Sequence, residues 1–540
     1  MALAGEQAWA PTDRNRPKVK ATIMKTSEDA SFPYRIDAYR PDQFGSPAGK
    51  QPLVVVHGYS AQVYPMQAFM HVLADQLPEY CVYQYSFETF GGLTPDDVSL
   101  EEASRVLGAE LLRVKHEHGL ADGVAFVGHS TGGLIARRCF VDYRKALGSG
   151  TFVFLGTPHH GAEIADWKNL VTRLRHEKQT RELAAGSDFI WRLNRDWHFL
   201  GAGEVEKVLC VIGTSSNRSG LGRIPKGNWV QSDGVVRATS AAIAPRHAEA
   251  CILLHVPLEH SSLKDIDPLW QRAERISRGL FEGPPVPSRD LPFIAAIGFL
   301  KSQPQQEGDS ACKSAALWRW CCDYLETCER EWRERIYASD YFEETEPGKW
   351  QEIADAPDPV MRKVGLEPPS KFSELPKQPT FQQDLTDYVD RAVEYWRCQR
   401  IGTALIRLEY LHMPPAPILL DVVDTNNASE LDALKTHPST RIRMGARWAT
   451  LYIPEIAEGT HRVIWQHGNR RIEASFSITR HLTTIIQIDA GTGRVADFTG
   501  NVADVARQAV EEWSELKRVA GTRQWDLEID QPWIDVSKKV

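Results

Sequence analysis

The stretch Phe126–Leu134 reads "FVGHSTGGL". A serine stands among glycines here, after the apolar run "GVAFV" and before "LIARRCFVDYRKAL", which has helical spacing. Gly128-His129-Ser130-Thr131-Gly132 forms a G-x-S-x-G pattern. A strand that turns straight into a helix forces its corner residue into strained backbone angles. The positions two before and two after must then be small, and the serine hydroxyl is left at the strand's C-terminal edge, over the helix N-terminus. The flanking strand and helix are the context that marks a nucleophile rather than a tight approach of helix to strand.

The surroundings extend this pattern. "YRIDAYR", "PLVVVHG", "CVYQYSF", "GVAFVGH", "TFVFLGT", "KVLCVIG" and "EACILLHVP" read as strands, preceded by "KATIMKT". From "PLVVVHG" onward they are nearly continuous apolar runs, as expected when helices cover both faces of a parallel sheet. Helices are expected at "MQAFMHVLADQL", where Met66, Phe69, Met70 and Leu73 make one stripe, and at "SLEEASRVLGAELLRVKHEHG", with early acidic residues and a terminal Gly119. The alternation predicts a doubly wound, mostly parallel α/β sheet.

A serine hydroxyl needs a base, and the base needs an orienting acid. In a sheet of this kind the order is Ser, then Asp or Glu, then His. Asp233 in "VQSDGVV" follows the strand "KVLCVIG", and His260 in "LEHSSL" follows the last strand. Both fall at the edge that carries Ser130. His255 lies inside an apolar strand and reads as a core residue. Two backbone N–H groups should meet the oxyanion. Thr131 supplies one, and Tyr59, after "VVVHG", the other. His57 is expected to brace that loop.

The motifs "VVVHGY", "VGHSTGG", "LGTPHHGAE", "SDGVV" and "LEHSSL", in that order, resemble the lipase and serine-esterase branch of the α/β-hydrolase superfamily, which includes bacterial triacylglycerol lipases and relatives of GPI-inositol deacylase. The resemblance covers roughly residues 20–285. It implies Ser130 as nucleophile, Asp233 as acid, His260 as base, and Tyr59 and Thr131 as oxyanion donors, with no cofactor and no metal. One residue after "HG", rather than a run of glycines, implies a tendency toward longer acyl chains. The resemblance also implies a cap over the site at about residues 162–200. Trp167, Leu170 and Leu174 share one helical face there, and Phe189 and Trp191 belong to a second apolar cluster. His57, His129, His159, Phe189 and Trp191 are candidates to line the substrate site.

Three regions are expected: a catalytic domain over 1–285, a helical, proline-rich connection over 286–400, and a β-sandwich-like domain with a terminal helix over 401–540. The first boundary falls near the proline-rich "GPPVPSRDLP", Gly283–Pro292. Helices are expected over about 310–340, at "QDLTDYVDRAVEYWRCQR" and at "NVADVARQAVEEWSELKRVAG", with loop from Pro347 to Pro379. From about residue 402 the pattern has period two, with a hairpin signal at "HGNR". Residues 1–285 are expected to suffice for turnover of short soluble esters.

The net charge of −8 argues against a nucleic-acid binder. The nine cysteines are scattered, odd in number and without a CxxC pair, so free thiols in a reducing compartment are expected. No signal-like or membrane-spanning apolar run is seen, which predicts a cytoplasmic protein whose contact with a membrane surface, if any, is transient. The expected activity is hydrolysis of carboxylic esters, of lipid or another hydrophobic acyl class, with a place in lipid metabolism. Two alternatives stand: a thioesterase or acyl-protein deacylase with the same triad, and a toxin-like effector or interaction protein whose C-terminal half binds a protein partner and directs targeting.

Overall fold

In the computed structural model, the strands of the first half alternate their side chains between two apolar layers. Val54 and Val56, Phe126, Phe152 and Phe154, and Val208, Cys210 and Ile212 point into one core. Leu53 and Val55, Ala125 and Val127, Val153 and Leu155, and Leu209 and Val211 point into the other. A strand buried on both faces must be apolar at every position, hence the continuous runs. The structure describes residues 35–38, 46–58, 66–86, 99–162, 177–214, 232–243, 246, 250–256, 258–260, 263, 287–301, 342–346, 349–352, 401–409, 419–424, 441–445, 447–467, 470–490 and 492–499. The helices expected over 310–340, after 380 and after 500, the strand "KATIMKT", and Trp167, Leu170 and Leu174 lie outside these residues.

The strands are β1 (Arg35–Ala38), β2 (Gln51–Val56), β3 (Tyr80–Ser86), β4 (Val124–His129), β5 (Gly150–Leu155), β6 (Val205–Gly213) and β7 (Ala250–Val256). They form one sheet in the order β1-β3-β2-β4-β5-β6-β7. β1 is antiparallel to β3. The other six are parallel. Helices α2 (Leu100–His118) and α3 (Thr131–Leu147) supply the first core. The side chain of Ser99 accepts the N–H of Glu102 to start α2, and Gly119 ends it in the left-handed region at φ 60°.

On the other face lie α1 (Gln67–Gln76) and a helix from beyond the expected boundary, Pro287–Lys301. Leu291, Phe293, Ile294, Ile297 and Leu300 of that helix are buried against the sheet, and the Lys207 ammonium donates to the Phe299 carbonyl at 3.2 Å. Pro287 at the first position suits a helix start, because the first N–H groups have no intrahelical acceptor, whereas Pro292 lies inside the helix and removes one intrahelical hydrogen bond. The proline-rich stretch therefore runs into a core helix.

Among the described residues this half also has three short helices, α4 (Glu177–Leu183), α5 (Asp188–His198) and α6 (Ala238–Ala241), so the Pro287–Lys301 helix is α7. Beyond it, β8 (Phe342–Glu346) and β9 (Lys349–Glu352) form an antiparallel pair at the start of the stretch expected as loop.

The period-two region gives β10 (Ile401–Glu409), β11 (Leu419–Asp424), β12 (Arg441–Gly445), β13 (Trp448–Ala457), β14 (Gly459–His467), β15 (Arg470–Ile478), β16 (Thr483–Asp489) and β17 (Val495–Asp497). One sheet runs β12-β13-β10-β16-β17 and a second β11-β14-β15. The β14–β15 register pairs His467 with Arg470 across "HGNR". Ile406, Leu408, Leu451, Ile453, Ile486 and Ile488 of the larger sheet share a core with Val463, Ala474, Phe476 and Ile478 of the smaller, so the two pack face to face as a β-sandwich.

The two halves touch directly. Trp191 of α5 is buried among Leu405, Tyr452, Ile485 and Phe498. The Arg407 guanidinium lies 5.3 Å from the centre of the Trp191 ring and 4.5 Å from that of Trp448, and it donates to Asp188 Oδ1 at 2.9 Å.

Candidate active site

β2 and β4 are neighbours in the sheet, and the chain winds from β2 to β3 on one side and from β4 through β7 on the other. Ligands of open α/β sheets bind outside the strand ends at such a reversal. Ser130 stands there, directly after β4, with φ 53° and ψ −128°. Among the described residues only Ser130 and His481 hold positive φ without being glycine. The tight neighbours follow from this corner. A Cβ on Gly128 would lie 2.5 Å from Gly133 Cα, and one on Gly132 would run into the carbonyl oxygens of Val56 and His57.

Asp233 lies in the loop after β6, within a turn that its own side chain closes. Asp233 Oδ1 accepts the N–H groups of Val235 and Val236 at 2.9 and 2.7 Å. Its other oxygen, Oδ2, accepts from His260 Nδ1 at 2.6 Å. The backbones are joined as well, since the His260 N–H donates to the Asp233 carbonyl at 2.9 Å. Asp233 is buried, while the His260 side chain keeps 13% of its surface. A base must reach both its orienter and an open site, and this gradient of exposure suits it.

His260 also faces the Ser130 corner. The ring of His129, the residue before Ser130, lies 4.9 Å from the His260 ring, and His129 Nε2 donates to the His260 carbonyl at 3.1 Å. A Cβ on Gly58, after β2, would lie 2.8 Å from Ser130 Cβ. A Cβ on Gly156, after β5, would lie 2.9 Å from Asp233 Oδ2 and 3.1 Å from His260 Nδ1. Ser130, Asp233, His260, Gly58 and Gly156 thus converge on one edge of the sheet. Gly156, at φ 56°, lies within the quoted "LGTPHHGAE" but is given no role by the sequence reading; its signal is a glycine directly after a strand inside that motif.

Thr131 is the first residue of α3, where N–H groups have no intrahelical acceptor. Tyr59, the expected second donor, lies outside the described residues. His57 Nδ1 donates to the Gly58 carbonyl at 2.7 Å and so ties the loop after β2.

The remaining candidates sit deeper. His159 is buried with its ring edge-on to Phe154 at 4.6 Å and its Nδ1 3.2 Å from Arg137 Nη1. Burial, then the Arg137 charge, hold its pKa well below the usual histidine range. Arg137 itself is fully buried, donates to Asn194 Oδ1 at 3.1 Å and lies over the Trp197 ring. Phe189 belongs to the first core of the sheet, and Trp191 faces the C-terminal sandwich. These two were expected to line the substrate; their surfaces are taken up by protein packing. A crevice between the halves, lined by His160, Asn194, Trp197, Ile243, Thr483 and Phe498, contains none of the converging residues.

Residues 53–236 match the model of the alpha/beta hydrolase family. No curated protein matches the chain. Among solved structures, the phospholipase PlaB from Legionella pneumophila is 13% identical with a TM-score of 0.48, covering 82% of this chain and 93% of that one. The mature lipase BlEst2 from Bacillus licheniformis is 19% identical with a TM-score of 0.30, covering 42% and 91%. Lipase B from Aspergillus fumigatus is 13% identical with a TM-score of 0.30, covering 53% and 59%. The family match runs from within β2 to just past Asp233 and includes β3 to β6 and the Ser130 corner, and the sheet continues it with β1 and β7 at its edges: the N-terminal half of this chain is an α/β-hydrolase domain.

Proposed function

We propose that the protein is a serine hydrolase of carboxylic esters, with Ser130 as nucleophile, His260 as base and Asp233 as orienting acid. The observation that carries this reading is the 2.6 Å Asp233–His260 pair on the sheet edge that bears the strained Ser130. With its Nδ1–H held by Asp233, His260 presents Nε2 as the acceptor of the serine proton. Ser130 Oγ then attacks the ester carbonyl, and the oxyanion is met by the N–H of Thr131 and, from outside the described residues, that of Tyr59. His260 returns the proton to the leaving alcohol. Water, deprotonated by the same imidazole, releases the acid from the acyl-enzyme. No step of this scheme calls for a cofactor.

A hydrophobic acyl group, as in a lipid ester, is the substrate class that the single residue after "HG" favours. No described helix is long and apolar enough to cross a membrane. The test is labelling of the full chain with a fluorophosphonate, then a series of oxygen and thiol esters of rising chain length. Ser130→Ala is expected to abolish labelling while circular dichroism stays that of the parent. Labelling that persists at another serine overturns the assignment.

A further inference from the structure

We infer that Glu455, on β13 of the C-terminal sandwich, is a positioning residue for Asp233, acting through Arg237; this rests on the reading of Asp233 as the triad acid. The turn that carries Asp233 closes on Arg237. Ser232 bridges to Arg237 in the manner of a short antiparallel pair, the Asp233 N–H donates to the Val236 carbonyl at 3.2 Å, and Ser232 Oγ donates to the same carbonyl at 2.9 Å. Carboxylate, turn and Arg237 backbone therefore form one small unit.

That unit is fastened from the other half of the chain. Arg237 Nη1 donates to Glu455 Oε1 at 3.0 Å across 218 positions of sequence. The two side chains keep only 4% and 14% of their surface, so the pair is little screened by water. Two residues on, Thr239 Oγ1 and Thr403 Oγ1 of β10 are 2.8 Å apart, and Thr483 Oγ1 of β16 donates to the Thr239 carbonyl at 2.9 Å. From the opposite side, Ser240 Oγ donates to the Gly161 carbonyl at 2.7 Å. The acid loop is held between the segment after β5 and the sandwich, and the Arg237–Glu455 pair is a charged contact within that clamp.

Removing the Glu455 charge withdraws a 3.0 Å ion-pair partner from a guanidinium that keeps only 4% of its surface, which raises the cost of holding Arg237 in its buried place and favours its movement toward water. Because Arg237 closes the Asp233 turn, that movement alters the aim of Oδ2 at His260. A displacement of about 1 Å in such a constellation can cost about 10²-fold in rate.

The experiment compares Glu455→Gln, Glu455→Asp, Asp233→Asn and the Asp233→Asn/Glu455→Gln double variant in the full chain. The readouts are kcat, KM and the pH dependence of kcat/KM on p-nitrophenyl butyrate, with thermal melts alongside. Glu455→Gln is expected to lower kcat by about 10- to 100-fold with KM within about twofold. The acid limb of kcat/KM is expected to move to lower pH, because a misaimed Asp233 stabilises the imidazolium less. Glu455→Asp, which keeps the charge, is expected to recover most of that loss. In the Asp233→Asn background Glu455→Gln is expected to change kcat less than about twofold, since the step it serves is already lost. An unchanged kcat, or the same loss in both backgrounds, overturns the inference. Should Glu455→Gln fail to fold, Arg237→Lys, which breaks the same pair from its other side, is compared in the two backgrounds, where an equal loss in both again overturns it. Asp233→Asn turning over near the parental rate would instead overturn the triad reading.

Discussion

His255 sits inside β7 with 3% of its surface exposed, and burial pushes its pKa down to about 3. His160, after β5, is held at about 3 by burial and then by the Arg137 charge. Both are neutral in the folded protein at physiological pH. The unfolded chain takes up a proton on each below about 6.5, so it binds more protons than the native state in acid. Their contribution to stability is therefore complete above pH 6.5 and is lost as the pH falls from there toward 3. Each such histidine gives a slope of about 1.4 kcal/mol per pH unit within that window. The melting temperature of the full chain is expected to fall steadily between pH 6.5 and 4.5, and His255→Leu is expected to flatten the decline. A His255→Leu variant with the parental pH slope would show that this histidine is protonated in the native state. The location of His255 in an apolar run made its burial readable from sequence. Arg137 was not readable. Its neighbour Arg138 has Asp142 four positions on, whereas Gly133 and Val141 flank Arg137 at that spacing, and nothing in the helix announces a fully buried guanidinium.

At the scale of elements, the parallel sheet was legible because burial on both faces leaves no polar position to blur a strand. The G-x-S-x-G corner was legible for a related reason: three glycines crowd one turn, and each is required by contact with a neighbouring backbone or side chain. The surroundings of helix α5 were not legible. Its aromatic residues do form a cluster, but sequence carries no information about which surface meets them. Phe189 faces the sheet and Trp191 the C-terminal sandwich, where Arg407 stacks on its ring. Residues 405 and 452 of that contact are more than two hundred positions away. Trp191→Ser is accordingly expected to destabilise the protein by about 3–5 kcal/mol, the usual cost of removing a buried aromatic side chain. Turnover of butyrate and octanoate esters is expected to fall by the same factor, measured below the melting temperature of the variant. A selective loss on octanoate would restore Trp191 to the acyl site.

At the scale of the whole molecule, the question is whether the hydrolase half can stand alone. Sheet, Ser130, Asp233 and His260 all lie before residue 285, which made 1–285 look sufficient. Packing from beyond residue 285 bears on this in two places. A chain ending at 285 lacks α7, so Phe69 of α1 loses its edge-on partner Phe293, and the faces of β5, β6 and β7 lose the helix that packs on them with Leu291, Ile294 and Ile297 buried in the same core. It also lacks the sandwich that covers Trp191 and anchors Arg237 and Thr239. Exposed apolar surface on this scale marks an aggregation liability in a truncated protein. A chain ending at 301 restores the first face and leaves the second open. We therefore expect 1–285 to aggregate on size-exclusion chromatography. We expect 1–301 to be better behaved yet slower than the full chain on p-nitrophenyl acetate, because the loop bearing Asp233 has lost its outer clamp. The comparison separates two kinds of dependence. If 1–301 is monomeric, folded by circular dichroism and as fast as the full chain, the sandwich contributes nothing to catalysis and the acid loop holds its own geometry. If 1–301 is folded but slow, the deficit lies in the missing sandwich, since Pro287–Lys301 and the face of the sheet it covers are present in that chain.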